Sequence, residues 1–97
     1  MNEHIQTDIN IASFLMQRGF RLRDIRPVSG NRYGFVFEDP RGDATIAATE
    51  FLADAAAPAR SLLNCLRTLK AQLFSFRERN ENEYDHEERR AYSRRRL

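Results

Sequence analysis

Apolar positions along this chain follow two different periods, and the change from one to the other divides it into elements. From Pro58 to Phe76 the apolar residues Ala59, Leu62, Leu66, Leu69, Leu73 and Phe76 recur at alternating gaps of three and four. That spacing puts all six on one stripe of an α-helix. Leu63 and Phe74 widen the stripe, while Arg60, Arg67, Lys70 and Arg77 lie mostly off it. Pro58 suits a first turn, where its missing N–H has no intrahelical partner to lose. The pattern predicts a central core helix over 58–76. A second helical pattern covers Asp8 to Arg18, with Ile9, Ala12, Leu15 and Met16 on one face and Ile11 and Phe14 on its flank. Thr7 is its expected N-cap, and Gly19 ends it where a left-handed residue is usual.

Between these two the period falls to two. Phe20 to Val28 alternates Phe20 and Leu22 against Arg21 and Arg23, the signature of a strand with one face buried. The alternation slips at Asp24–Ile25, which predicts a bulge or the strand's end, and Pro27 predicts an edge position. Ser29 to Arg32 is a turn cluster, and Tyr33 to Glu38 forms a second strand with Tyr33, Phe35 and Phe37 on one face. Asp39 to Asp43 breaks the chain again. Ala44 to Leu52 then reads as a short helix capped by Asp43, although the β-branched Thr45, Ile46 and Thr49 make a third strand the alternative. Residues 1–6 are expected to be a flexible leader, 7–80 the folded domain, and 81–97 a charged helical extension or disordered tail. The expected architecture is α+β, in the order helix, β-hairpin, short helix, long C-terminal helix (αββαα), with helices over one face of a small sheet.

The segments TDINIASFLMQRGF, YGFVFED and RSLLNCLRTLKAQLF, spanning about Thr7 to Phe74, resemble an uncharacterised small domain of bacteria and their phages. The shared residues are packing residues. The resemblance implies no activity, and it implies a phage-accessory or mobile-element setting.

Composition narrows the function further. The chain has 97 residues and one cysteine, Cys65, so it builds one small domain without an intramolecular disulfide. A core of that size buries only about 60% of the unfolded surface. Association with a second copy or another protein is an economical source of extra stability. The chain has no apolar run long enough for a signal peptide or a membrane span, and a lone thiol suits a reducing compartment, so the expected location is the cytoplasm. The two histidines, His4 and His86, fall in the leader and the tail, away from Cys65 and the serines, and no base stands ready for a nucleophile. One cysteine and two distant histidines make no zinc site, and the Glu83–Glu87 cluster reads as a solvated charge run. Gly30, Gly34 and Gly42 lack phosphate-cradling spacing. Gly34, inside a strand, marks a bulge or a close backbone approach, with close packing by a helix the ordinary reading and a ligand the alternative. No catalysis, cofactor or metal is expected.

Net charge is only +2, yet every basic residue but Lys70 is an arginine. Arginine's planar fork pairs with phosphate or carboxylate and stacks on rings. Two sets stand out as nucleic-acid contacts: Arg21, Arg23, Arg26 and Arg32 around the hairpin, and Arg89, Arg90, Arg94, Arg95 and Arg96 with Tyr92 in the tail. The competing reading makes the first set the solvated face of a one-sided sheet. It makes the second the counterpart of the acidic block at 81–88. The functional expectation is a non-catalytic interaction module, homodimeric through the seam Ala59, Leu62, Leu66, Leu69, Leu73 and Phe76. The alternatives are a nucleic-acid-binding protein and a phage-type inhibitor of a host protein complex.

Overall fold

A computed structural model of the chain describes the backbone of residues 2–96 and the side chains of residues 2–79. The order of elements is β1 (Glu3–Gln6), α1 (Ile9–Gln17), β2 (Leu22–Ser29), β3 (Arg32–Glu38), α2 (Ala44–Leu52) and α3 (Ala59–Arg96). The α+β class and the order helix, hairpin, helices match the expectation, and 44–52 is a helix. The supposed leader is different. Glu3–Gln6 pairs antiparallel with β3, so the sheet has three strands in the order β1-β3-β2. A four-residue polar strand carries too little hydrophobic alternation to announce itself. Backbone pairing with β3 holds it, and Asn2 extends the pairing by accepting a hydrogen bond from the Asp39 N–H at 2.9 Å.

β3 is the central strand. Phe35 and Phe37 point into the core and are almost fully buried, while Gly34 and Val36 face the other way. β2 shifts register between Leu22 and Asp24, the bulge anticipated from the broken alternation. As the sheet's edge it offers little to an added strand. Pro27 has no N–H, and the Ile25 N–H is taken by the Asp24 carboxylate at 2.8 Å.

Helix ends explain where the chain turns. α1 is capped by Asp8, one residue beyond the expected Thr7; its carboxylate accepts from the N–H groups of Asn10 (2.8 Å) and Ile11 (3.3 Å). Gly19, at φ +101°, closes the helix, with its N–H donating to Met16 and that of Phe20 donating to Leu15. The start of α2 is held differently from the expectation. Asp43 makes no capping bond; instead the buried Asp39 carboxylate accepts from the N–H groups of Asp43 (2.8 Å) and Ala44 (3.2 Å). α2 closes through Asp54, the one described non-glycine residue with positive φ, at 64°.

The core centres on α1. Five consecutive residues, Ile11 to Leu15, are buried, so this short helix is covered on several sides. Ser13 can sit among them because its hydroxyl donates to the Ile9 carbonyl at 2.7 Å. α3, expected to be the central helix, packs along α1 and contributes, among the described residues, one fully buried side chain, Leu69. No helix among the described residues is long and apolar enough to cross a membrane.

Candidate functional site

The hairpin arginines fold onto one side of the sheet, where carboxylates meet them. Arg21 Nε lies 3.8 Å from Glu38, and Arg23 Nη1 lies 3.3 Å from Glu3. Arg26 reaches Glu3 at 3.4 Å and Asp24 at 3.5 Å. Strand pairing produces this arrangement: Glu3 stands on β1, across β3 from the arginines of β2, and the bulge frees Arg23 to reach over. Three of the four hairpin arginines are therefore in ion pairs, while Arg32 at the turn is in none among the described residues. Such exposed pairs contribute little stability, but a polyanion would have to displace them. The tail set, Arg89, Arg90, Tyr92, Arg94, Arg95 and Arg96, lies outside the described side chains, as does the Glu83–Glu87 cluster.

The same side of the sheet explains Gly34. A Cβ built there would stand 2.6 Å from Ile5 Cγ2 and 2.7 Å from Val28 Cγ2. The close approach comes from the two neighbouring strands, whose methyls meet over the glycine. It is neither a ligand cradle nor a helix contact.

Two grooves open on the surface. One, of about 370 Å³, runs between β2 and α3, with Leu22, Asp24, Ile25, Gln72, Ser75 and Phe76 along it. The other, of about 320 Å³, lies beside the α1–β2 turn and brings Arg18, Arg21 and Arg41 close to Glu38, Asp39 and Asp43. Two of its cations already have partners: Arg21 pairs with Glu38, and Arg18 is 3.7 Å from Glu50 and stacks over Phe14, while Arg41 is in no ion pair among the described residues. No histidine or cysteine is among the residues lining either groove. Among the described residues, no three His, Cys, Asp or Glu side chains are placed to share a metal ion. His4 stands on β1 beside Gln6, and the half-buried Cys65 is a free thiol on α3.

α3 leaves large apolar side chains exposed, as α2 does at Ile46 (62%) and Leu52 (73%). Of the six residues expected to form a seam, Leu69 is fully buried, and Leu62, Leu73 and Phe76 are half-buried against the core. Phe76 meets Tyr33 edge-on at 5.6 Å, and the Arg77 guanidinium lies 5.9 Å from the same ring. Ala59 is exposed and Leu66 half-buried. The stripe is thus largely consumed by the chain's own fold. Beside it lies a second, outward-facing row, in which Leu63 is 52% and Phe74 66% exposed. Eleven residues separate them, close to three helical turns, so they share a face about 16 Å long. Arg60, Arg67 and Lys70 occupy the same exposed side.

Sequence reading took Leu63 and Phe74 as the margin of the core stripe. The signal that separates them is charge. From Ala59 to Arg77 the helix carries four basic residues and no acidic one, and the basic positions interleave with Leu63 and Phe74. Comparison of the chain with family models, with curated proteins and with solved structures finds no match in any of the three.

Proposed function

We propose that this chain is a non-catalytic protein-interaction module whose docking surface is the exposed face of α3. The observation that carries the reading is the exposure of Leu63 and Phe74 together on one helical face. A small domain that leaves two large apolar side chains along one helical face in water gains when a partner covers them. Covering what remains exposed of each contributes roughly half to two thirds of the about 1.5–3 kcal/mol that full burial gives. Helix-in-groove recognition uses anchors spaced along one face in this manner. The phage-accessory setting implied by the family resemblance fits such a module, and a small inhibitor of a host protein complex is one form it takes.

The test is the double variant Leu63→Glu/Phe74→Glu. Both positions are exposed, so circular dichroism and the melting temperature should match the parent. The parent should engage a polypeptide, either a second copy seen by sedimentation or another chain seen by titration, and the variant should not. A parent that stays monomeric and binds nucleic acid alone, with affinity falling steeply as salt rises, would replace this reading with the nucleic-acid one.

A further inference from the structure

Resting on that protein-binding reading, we infer that the occupant of the α3 face is an acidic amphipathic helix from a different protein, and not a second copy of this chain. The first ground is unanswered charge. Arg60, Arg67 and Lys70 have no Asp or Glu within four positions along α3, the range over which helical residues meet. None of the three is in an ion pair among the described residues, whereas Arg18, Arg21, Arg23 and Arg26 are. Among the described residues, carboxylates thus meet Arg21, Arg23 and Arg26 of the sheet, Arg32 excepted, and none meets Arg60, Arg67 or Lys70 of α3.

The second ground is symmetry. A twofold dimer presents the same patch to itself, so a dimer centred on this face would set each copy's Arg67 and Lys70 against the other's. Like charges brought together at an interface oppose association. A shifted pairing along α3 would have to answer the charge with Glu78 or with the acidic block at 81–88. That block reads ENEYDHEE and offers Leu63 and Phe74 no aliphatic counterpart. An acidic amphipathic helix supplies both needs at once: apolar side chains along one stripe for Leu63 and Phe74, and flanking carboxylates for Arg67 and Lys70. A nucleic acid would meet the charges but leave the apolar anchors without matching surface.

The test titrates the full-length protein with a synthetic helical peptide, leucine on one face and glutamate on the other, long enough to cover the face. A leucine/lysine version, polyglutamate and random duplex DNA serve as comparisons, and sedimentation is run alongside. The leucine/glutamate peptide should bind with salt-sensitive affinity, and Phe74→Ala should weaken it about tenfold, the effect of losing one interface anchor. The charge-reversed variant Arg67→Glu/Lys70→Glu should lose that peptide and gain the leucine/lysine one. Gain of a new ligand cannot come from misfolding. Polyglutamate or DNA binding as tightly as the peptide, unaffected by Phe74→Ala, would overturn the proposal in favour of a general polyanion surface. A dimer that Leu63→Glu/Phe74→Glu dissolves would make the occupant a second copy, overturning the proposal while leaving the interaction reading intact. A monomer that binds none of the probes would remove both.

Discussion

Replacing Gly34 with alanine tests the packing of the sheet's outer side at a single atom. The added Cβ would stand 2.6 Å from Ile5 Cγ2 and 2.7 Å from Val28 Cγ2. Carbon atoms in contact prefer about 3.5–4.0 Å, so each methyl must retreat by roughly 1 Å. Ile5 and Val28 are β-branched, and their Cγ2 atoms move only if χ1 turns or the strand shifts. An off-rotamer turn costs about 0.5–1.5 kcal/mol for each side chain, a combined loss of about 1–3 kcal/mol. Against this, alanine restricts the unfolded chain and returns about 0.4–1 kcal/mol where the backbone accepts it. The backbone does accept it here, since Gly34, unlike Gly19, Gly30 and Gly42, does not have positive φ. The expected net loss is centred near about 1.3 kcal/mol, a fall in melting temperature of roughly 5–10 °C for a domain of this size. The decisive comparison repeats Gly34→Ala in an Ile5→Ala/Val28→Ala background, followed by urea unfolding. With both methyls gone the sign should reverse, and the alanine should stabilise by about 0.4–1 kcal/mol. Equal losses in the two backgrounds would refute the steric account.

Other positions give sharper or gentler effects. Asp39→Ala should cost about 1–2 kcal/mol in urea unfolding because it removes the acceptor at the start of α2, while Asp43→Ala should change stability by only a few tenths, since Asp43 makes no capping bond. Leu69→Ala, at a fully buried site, should cost about 2–5 kcal/mol, whereas Phe74→Ala on the exposed face should fall within about 0.5 kcal/mol of the parent. Asp54→Gly should raise the melting temperature, because glycine relieves about 1 kcal/mol of left-handed strain at φ 64°.

What could be read in the sequence follows from which physical signals are local. The bulge after Leu22, the edge position of Pro27 and the inward set Tyr33, Phe35 and Phe37 were legible because alternation and its failure are written in adjacent residues. Helices α1 and α3 were legible for the same reason. β1 was not, because a short polar strand is specified by its partner: pairing of Glu3–Gln6 with β3 is a long-range event with no local period. The cap of α2 was assigned to the nearest acid, Asp43, whereas the turn brings Asp39 back from four residues earlier. The balance between α1 and α3 was also hidden. A long leucine-rich stripe looks like the centre of a core, yet burial depends on how many elements surround a helix, and α1 is the surrounded one.

The surface features were legible to different degrees. Arg21, Arg23 and Arg26 stood out as a basic cluster, but their carboxylate partners Glu3 and Glu38 come from other strands and appear only with the sheet. For α3 the needed signal lies in one segment, since basic residues without acids interleave with Leu63 and Phe74. Separating that row from the core stripe required knowing which side α1 covers.

The location of binding is what distinguishes this account from its rivals, and amide chemical shifts of the ¹⁵N-labelled protein report it residue by residue. On adding the leucine/glutamate peptide, shifts should concentrate at Leu63, Arg67, Lys70 and Phe74, with the hairpin from Arg21 to Arg32 unmoved. Shifts clustered on Arg21, Arg23, Arg26 and Arg32 instead, with α3 silent, would contradict the assignment of α3 as the docking surface.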